Sequence, residues 1–249
     1  EKEYLKYLDI VCIGTISDIV PLVDENRVIS KLGLMLVKQT KNMGLRSILN
    51  ASGYKKIDSG AISFGVAPRL NACGRMGHAD EALKLFLSNN VNEVYDLTVS
   101  LNDFNRLRQE TEKHIYEDAI KQIEENNGDK NRAIILAGNN WHHGVIGIVA
   151  SKITEIYFKP SILLCLEDGI GKGSGRSIPG FDLHDALTKC QSLLEKFGGH
   201  AMAIGITIKQ ENIEKFKQEF ENVAKQEQIE NIIPIVNIDA KINLSDINK

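Results

Sequence analysis

From Arg132 onward the chain alternates short apolar runs with longer helix-like ones, and this alternation limits the fold more than any other feature. AIILAG reads as a buried strand, WHHG as a loop, VIGIVASKITEIYF as a helix and SILLCLE as a second strand. A glycine-rich turn then leads into a strand through GSGRS, followed by a helix over 182–196, the segment GGHAMAIGITI and a helix over 212–226. Strands that are apolar on both faces need helices to cover them, so the pattern predicts an α/β fold with a compact mixed sheet. The tail, IPIVNIDAKINLSDIN, reads as one strand and the start of a further unit.

The first half reads differently. EKEYLKYL is a short amphipathic stretch, DIVCIGTISDIVPL is apolar, and 26–37 and 79–87 have helical spacing. Asn102 or Asp103 can cap a helix that runs to about Asn126 and ends at Gly128. Four basic residues among a larger number of acidic ones describe a solvated face, with no nucleic-acid affinity of its own. NNGDKN after it is a turn cluster and the best candidate for a domain boundary. The 249 residues suffice for one large or two small domains, and 43% hydrophobic content promises a real core. Apolar burial expected within the first fifty residues suggests exposed surface and self-association in the absence of the strands that should precede them. Glu1 at one end and an unfinished pattern at the other suggest a piece of a longer protein.

Composition excludes several classes. Cysteines at 12, 73, 165 and 190 form no CxxC pair, which argues against a zinc ribbon or a disulfide framework and fits a cytosolic compartment. No apolar run reaches the ~18 residues of a membrane span. A net charge of −3 argues against a generally basic nucleic-acid binder and leaves room for a local basic cleft.

Such a cleft is predicted between Gly169 and Gly205. GIGKGSGRSIPGF and KFGGHAMAIGITIK, read as glycine-rich loops, carry Lys172, Ser174, Arg176, Lys196, His200 and Lys209 and no acid. Glycines admit an anion to the backbone amides and arginine supplies a fork for phosphate oxygens. A triphosphate-binding loop is disfavoured, because Gly173 follows Lys172 where Ser or Thr is needed; the GxGxG spacing and Ile178 also break the dinucleotide pattern. His142 and His143 are adjacent and diverge, which suits structural roles or a substrate contact better than a metal pair. In GAISFGVAPRLNACGRMG, Arg69 and Arg75 flank Asn71 without a nearby acid, so they are paired with distant carboxylates or they bind an anion. Asp18, alone in an apolar setting, is a cap or turn residue, or a ligand to a cation.

GTISDIVPL, APRLNACGRMG, WHHGVIGIVASKI, GSGRS and GGHAMAIG, in this order, resemble the RecJ family of single-strand-specific exonucleases in the DHH phosphoesterase superfamily. The resemblance covers essentially the whole chain. It implies the C-terminal part of a DHH domain over 1–101, a connector helix over 102–128, a DHHA1 substrate-binding domain over 129–228 and the start of an OB-like domain over 229–249. It also implies 5′-to-3′ hydrolysis of single-stranded DNA in repair and recombination, with two Mn2+ or Mg2+ ions as cofactors. Residue by residue, it implies a metal ligand in Asp18, with catalytic roles for Asp18 and His200. Ser174 and Arg176 then hold the terminal phosphate. Arg69, Asn71, Arg75, His142, His143, Gly198, Gly199 and His200 face the substrate. The sequence contains no DHH triplet and no DxD, so most metal ligands of the family are absent and the chain by itself is expected to be inactive. Competing readings are a phosphodiesterase of short oligonucleotides or cyclic dinucleotides, and a noncatalytic nucleic-acid-binding module. The sequence names no protein partner.

Overall fold

In a computed structural model, residues 3–236, 238, 240–243 and 246–247 are described. The chain divides into two compact units, Glu1–His114 and Ile115–Lys249, each with its own apolar core.

The first unit is helical. Helices α1 (Leu8–Ser17), α2 (Asp24–Val37), α3 (Met43–Ala51), α4 (Ala67–Arg75) and α5 (Ala79–Leu87) precede a 35-residue helix, α6 (Val91–Glu125). Its core gathers Cys12, Ile13 and Ile16 of α1 with Leu45, Ile48, Ile62, Leu85 and Leu101. The Asn42 side chain caps α3 by accepting from the Leu45 N–H at 2.8 Å. A six-residue π-helix, Ala61–Val66, runs into α4. Pro68 has no N–H for the Phe64 carbonyl and its ring would collide with it, so the helix widens there.

Helix α6 starts eleven residues before the predicted Asn102. Asn90 is the capping side chain, accepting from the N–H groups of Asn92 and Glu93 at 2.9 and 3.3 Å. Asn102 lies inside the helix, its amide donating to the Thr98 carbonyl at 3.0 Å. A strong capping residue there finds its partners within the helix and across to α4, and the buried Val94 and Leu101 extend the apolar stripe upstream.

The second unit is a five-stranded sheet in the order β1-β2-β3-β5-β4. Its strands are β1 (Ile134–Gly138), β2 (Ser161–Glu167), β3 (Ile170–Arg176), β4 (Lys196–His200) and β5 (Ala203–Lys209). Strands β1 and β2 are parallel, joined through α7 (Ile146–Tyr157), and the remaining pairs are antiparallel. Asp168 and Gly169, at φ 49° and 77°, make the two-residue turn between β2 and β3, the Asp-Gly pairing such a hairpin favours. On one face α8 (Leu183–Lys189) and α9 (Ile213–Gln226) bury Leu183, Leu187, Phe216 and Phe220 against Ile162, Leu164, Ile204, Ile206 and Ile208. Each such side chain contributes about 1.5–3 kcal/mol on leaving water.

Three predictions need correcting. The helix over 182–196 stops at Lys189, and a 3-10 turn at Gln191–Leu193 leads to β4, placing Cys190 and Leu193 in the core. The two glycine-rich loops are mostly strand, β3 and the β4–β5 hairpin, so their amides largely serve the sheet. Beyond Ile232 no strand occurs among the described residues, and Asn237, Asp239, Leu244, Ser245, Asn248 and Lys249 lie outside them.

Candidate nucleic-acid interface

Strand β3 alternates glycine with polar residues, and the pleat sorts them onto opposite faces. Gly171, Gly173 and Gly175 face the core. A Cβ on Gly173 would stand 2.6 Å from Leu164 Cδ2 and 2.8 Å from Ile206 Cγ1, so the large side chains of β2 and β5 close over a strand that must have none. The chemistry goes to the other face.

There the register builds three rows across β3, β5 and β4. Arg176 pairs with Ala203, which pairs with His200; Ser174 with Gly205, then Gly198; Lys172 with Thr207, then Lys196. The two polar columns stand two strand spacings apart, about 9–10 Å. The floor between them is made of the small residues Ala203, Gly205 and Thr207, of which Ala203 and Gly205 are exposed. The structure therefore brings Ser174, Arg176, Gly198 and His200 to one trough. Gly199 belongs to the alternate face, at φ 140° and too close to the Ala203 carbonyl for a side chain, so it shapes the hairpin.

Helix α7 packs against β2 and β3 and closes the Ser174–Arg176 side. Arg176 donates to Ser174 Oγ at 3.2 Å and to the Gly175 carbonyl at 2.8 Å. In the first turn of α7, a Cβ on Gly147 would lie 2.9 Å from Ser174 Oγ and 3.2 Å from Arg176 Nη2. A hydroxyl, a guanidinium and the positive end of a helix thus meet, the combination that binds a phosphate. Gly147 was not singled out in the sequence, although a glycine inside the apolar helical run VIGIVASK signals a close approach.

His142 and His143 lie in the loop before α7, their rings stacked with centroids 5.0 Å apart. His142 Nδ1 accepts from the Gly144 N–H at 3.1 Å, and burial, with the neighbouring His143, pushes its pKa down. Trp141 anchors the loop, its indole N–H donating to Asp118 Oδ2 at 2.8 Å.

The remaining candidates lie in the first unit. Arg69 donates to Asn102 Oδ1 at 2.6 Å, to the Ala51 carbonyl at 3.3 Å and to the Gly65 carbonyl. It ties α3, the π-turn and α6 together through neutral oxygens, and burial pushes its pKa down. Asn71 and Arg75, one turn apart on α4, are both exposed. Asp18 is the exposed C-cap of α1, its N–H donating to the Gly14 carbonyl at 3.1 Å; it occupies a turn and caps no helix N-terminus. Among the described residues no three His, Cys, Asp or Glu side chains gather so as to hold a metal ion. One exposed carboxylate does not compose the two-metal centre that the resemblance implies.

Residues 130–226 match the DHHA1 domain family. The single-stranded-DNA-specific exonuclease RecJ of Bacillus subtilis is 38% identical over 245 residues, covering 96% of this chain and 31% of its own length. The protein of the same name from Haemophilus influenzae is 32% identical over 260 residues, covering 100% of this chain and 45% of its own. The crystal structure of RecJ in complex with Mn2+ from Thermus thermophilus superposes with a TM-score of 0.81 at 34% identity, over 89% of this chain and 33% of that one. The chain thus spans less than half the length of these relatives.

Proposed function

We infer that the chain is part of a RecJ-type single-stranded-DNA-specific exonuclease, and that it supplies the half that holds the DNA. The observation that carries this reading is the trough, with Ser174 and Arg176 facing Gly198 and His200 across a floor without bulky side chains. A single nucleic-acid strand fits such a floor. Its terminal phosphate is held by Ser174, Arg176 and the first turn of α7, and His200 faces the bond to be cut. His142 and His143, in the loop that leads into α7, are contacts for the same strand.

In this reading 1–101 is the C-terminal part of a DHH domain and the connector of 102–128 is a stretch of α6. Residues 129–228 form the substrate-binding domain, and 229–249 begin an OB-like domain. The reaction is 5′-to-3′ hydrolysis in DNA repair and recombination, in the cytoplasm. Its metals are Mn2+ or Mg2+, the ions in complex with RecJ in the related crystal structures. Asp18 offers them one carboxylate; the other ligands are not composed by the described residues.

The chain by itself then binds and does not cut. A 5′-phosphorylated single strand is expected to bind the wild-type chain more tightly than its 5′-hydroxyl counterpart. Arg176→Ala should remove about 1.5–3 kcal/mol of that preference, roughly ten- to a hundredfold. Equal affinity of the wild-type chain for both strands in a fluorescence titration would refute the phosphate site. Steady Mn2+-dependent cleavage abolished by Asp18→Ala would refute the division of labour.

A further inference from the structure

The end of α6, residues 115–125, belongs to the second unit, and Ile115, Ala119 and Ile123 are buried along one of its faces. Beside that face Asp118 and Gln122, one turn apart, reach the end of β1 and the loop that follows it. Gln122 Nε2 donates to the Ala137 carbonyl at 3.2 Å and to Asp118 Oδ2 at 3.3 Å. The same carboxylate oxygen accepts the Trp141 indole N–H at 2.8 Å. Trp141 is only 4% exposed, and its ring takes the place of a Gly138 side chain: a Cβ there would stand 2.4 Å from Cε2 and Nε1 of the indole. The Trp141 carbonyl in turn accepts from Cys165 Sγ at 2.7 Å. Burial pushes the Cys165 pKa up, so the sulfur keeps the proton it donates.

His142 comes next in the chain. Its carbonyl accepts the N–H groups of Val145 and Ile146 at 2.9 and 3.1 Å, where α7 begins. Gly147, whose missing side chain admits Ser174 and Arg176, follows directly. Wherever Trp141 is fixed, His142, His143 and the first turn of α7 are fixed with it. Further along α7, Lys152 Nζ stands 5.9 Å from the centroid of the Tyr116 ring, so α6 braces the same helix a second time.

We propose that Asp118 is a positioning residue for the phosphate end of the trough: its carboxylate holds Trp141, and Trp141 sets the two histidines and the start of α7 against Ser174 and Arg176. The proposal rests on the reading of that corner as the terminal-phosphate site, and it adds a residue that itself touches no part of the strand. The indole and the Gln122 amide are both neutral donors to Oδ2, so an oxygen at that place suffices and the charge is dispensable.

The test titrates the 249-residue chain with 5′-phosphorylated and 5′-hydroxyl oligothymidylates by fluorescence anisotropy and reads the ratio of the two affinities. A loss of folded protein lowers both affinities alike and cancels in the ratio, so a purely structural role leaves it unmoved. Asp118→Ala removes the acceptor, and Trp141→Phe removes the donor while keeping a ring over Gly138. Each should lower the ratio about threefold. Both changes break one bond, so the double variant should also lose about threefold, against about ninefold for independent effects. Asp118→Asn keeps an oxygen acceptor and should hold the wild-type ratio. An unchanged ratio in either single variant, a multiplied loss in the double one, or a loss in Asp118→Asn as large as in Asp118→Ala would each overturn the proposal. A wild-type ratio of one removes it together with the terminal-phosphate reading. A ratio lost in Arg176→Ala yet kept in Asp118→Ala and Trp141→Phe sinks this proposal alone.

Discussion

The two units differ in how they treat apolar surface. In the second unit the large apolar side chains left exposed among the described residues are Ile156 and Met202 in the sheet and its helices, and Ile233, Ile235, Val236, Ile238, Ile242 and Ile247 in the tail beyond them. The first unit instead exposes Val11, Ile19, Leu22, Val23, Val28, Leu32 and Met35 around α1 and α2, together with Leu83, Leu87, Val91 and Tyr95. Exposed apolar side chains in such number make the surface of the helical unit less polar than that of the sheet. The sheet unit closes its own core and can hold its trough without help. The helical unit has a core and a more apolar surface.

The largest effect that could break this contrast is on stability. Phe220→Ala, which empties a fully buried site, should cost the sheet unit about 3–5 kcal/mol, whereas Val28→Ala at an exposed site should stay within about 0.5 kcal/mol. Denaturant titration checks both. Trp141, the single tryptophan, is buried in the sheet unit and reports the first, and far-ultraviolet circular dichroism reports the second. A large loss from Val28→Ala would mean that the helical unit is better closed than its surface indicates.

A smaller effect tests whether the closed unit is built for its site. Gly147→Val pushes a side chain into Ser174 and Arg176, so the preference for a 5′-phosphorylated strand should fall about tenfold while the tryptophan-monitored transition persists. Retained preference would remove α7 from the interface. The smallest effect is one of pH. His142 has a lowered pKa in the folded chain, so it takes up a proton more readily when unfolded. Its contribution to stability is present above the unfolded pKa of about 6.5 and is lost as pH falls below it. His142→Asn should therefore flatten the decline in melting temperature from pH 7 to 5; an unchanged decline would deny His142 that part.

The contrast also explains what was legible in the sequence. β2 occupies Ser161–Glu167 and α5 Ala79–Leu87, as the runs SILLCLE and ADEALKLFL predict, because local periodicity and burial agree there. The start of α6 was missed because Asn102 is a good cap by type, and its use inside the helix depends on Arg69, thirty-three residues away. The glycines of 171–175 suggested an amide-lined anion loop. Their reason for being there is the bulk of Leu164, Ile204 and Ile206 on strands paired from a distance, which no local window reveals. The polar members of the candidate site were readable as residue types. Their gathering into rows, and the place of Gly147 beside them, required the register. For Asp18 the sequence offered a turn or a ligand; the fold places it in a turn with its side chain exposed, which is compatible with either.

One consequence belongs to the Asp168–Gly169 turn. Because faces alternate residue by residue, adding or removing a single position in that turn would invert β3: Lys172, Ser174 and Arg176 would press into the Phe216–Phe220 side, and glycines would line the trough. Which face of the sheet receives the polar side chains of β3 comes down to whether a count of residues is odd or even.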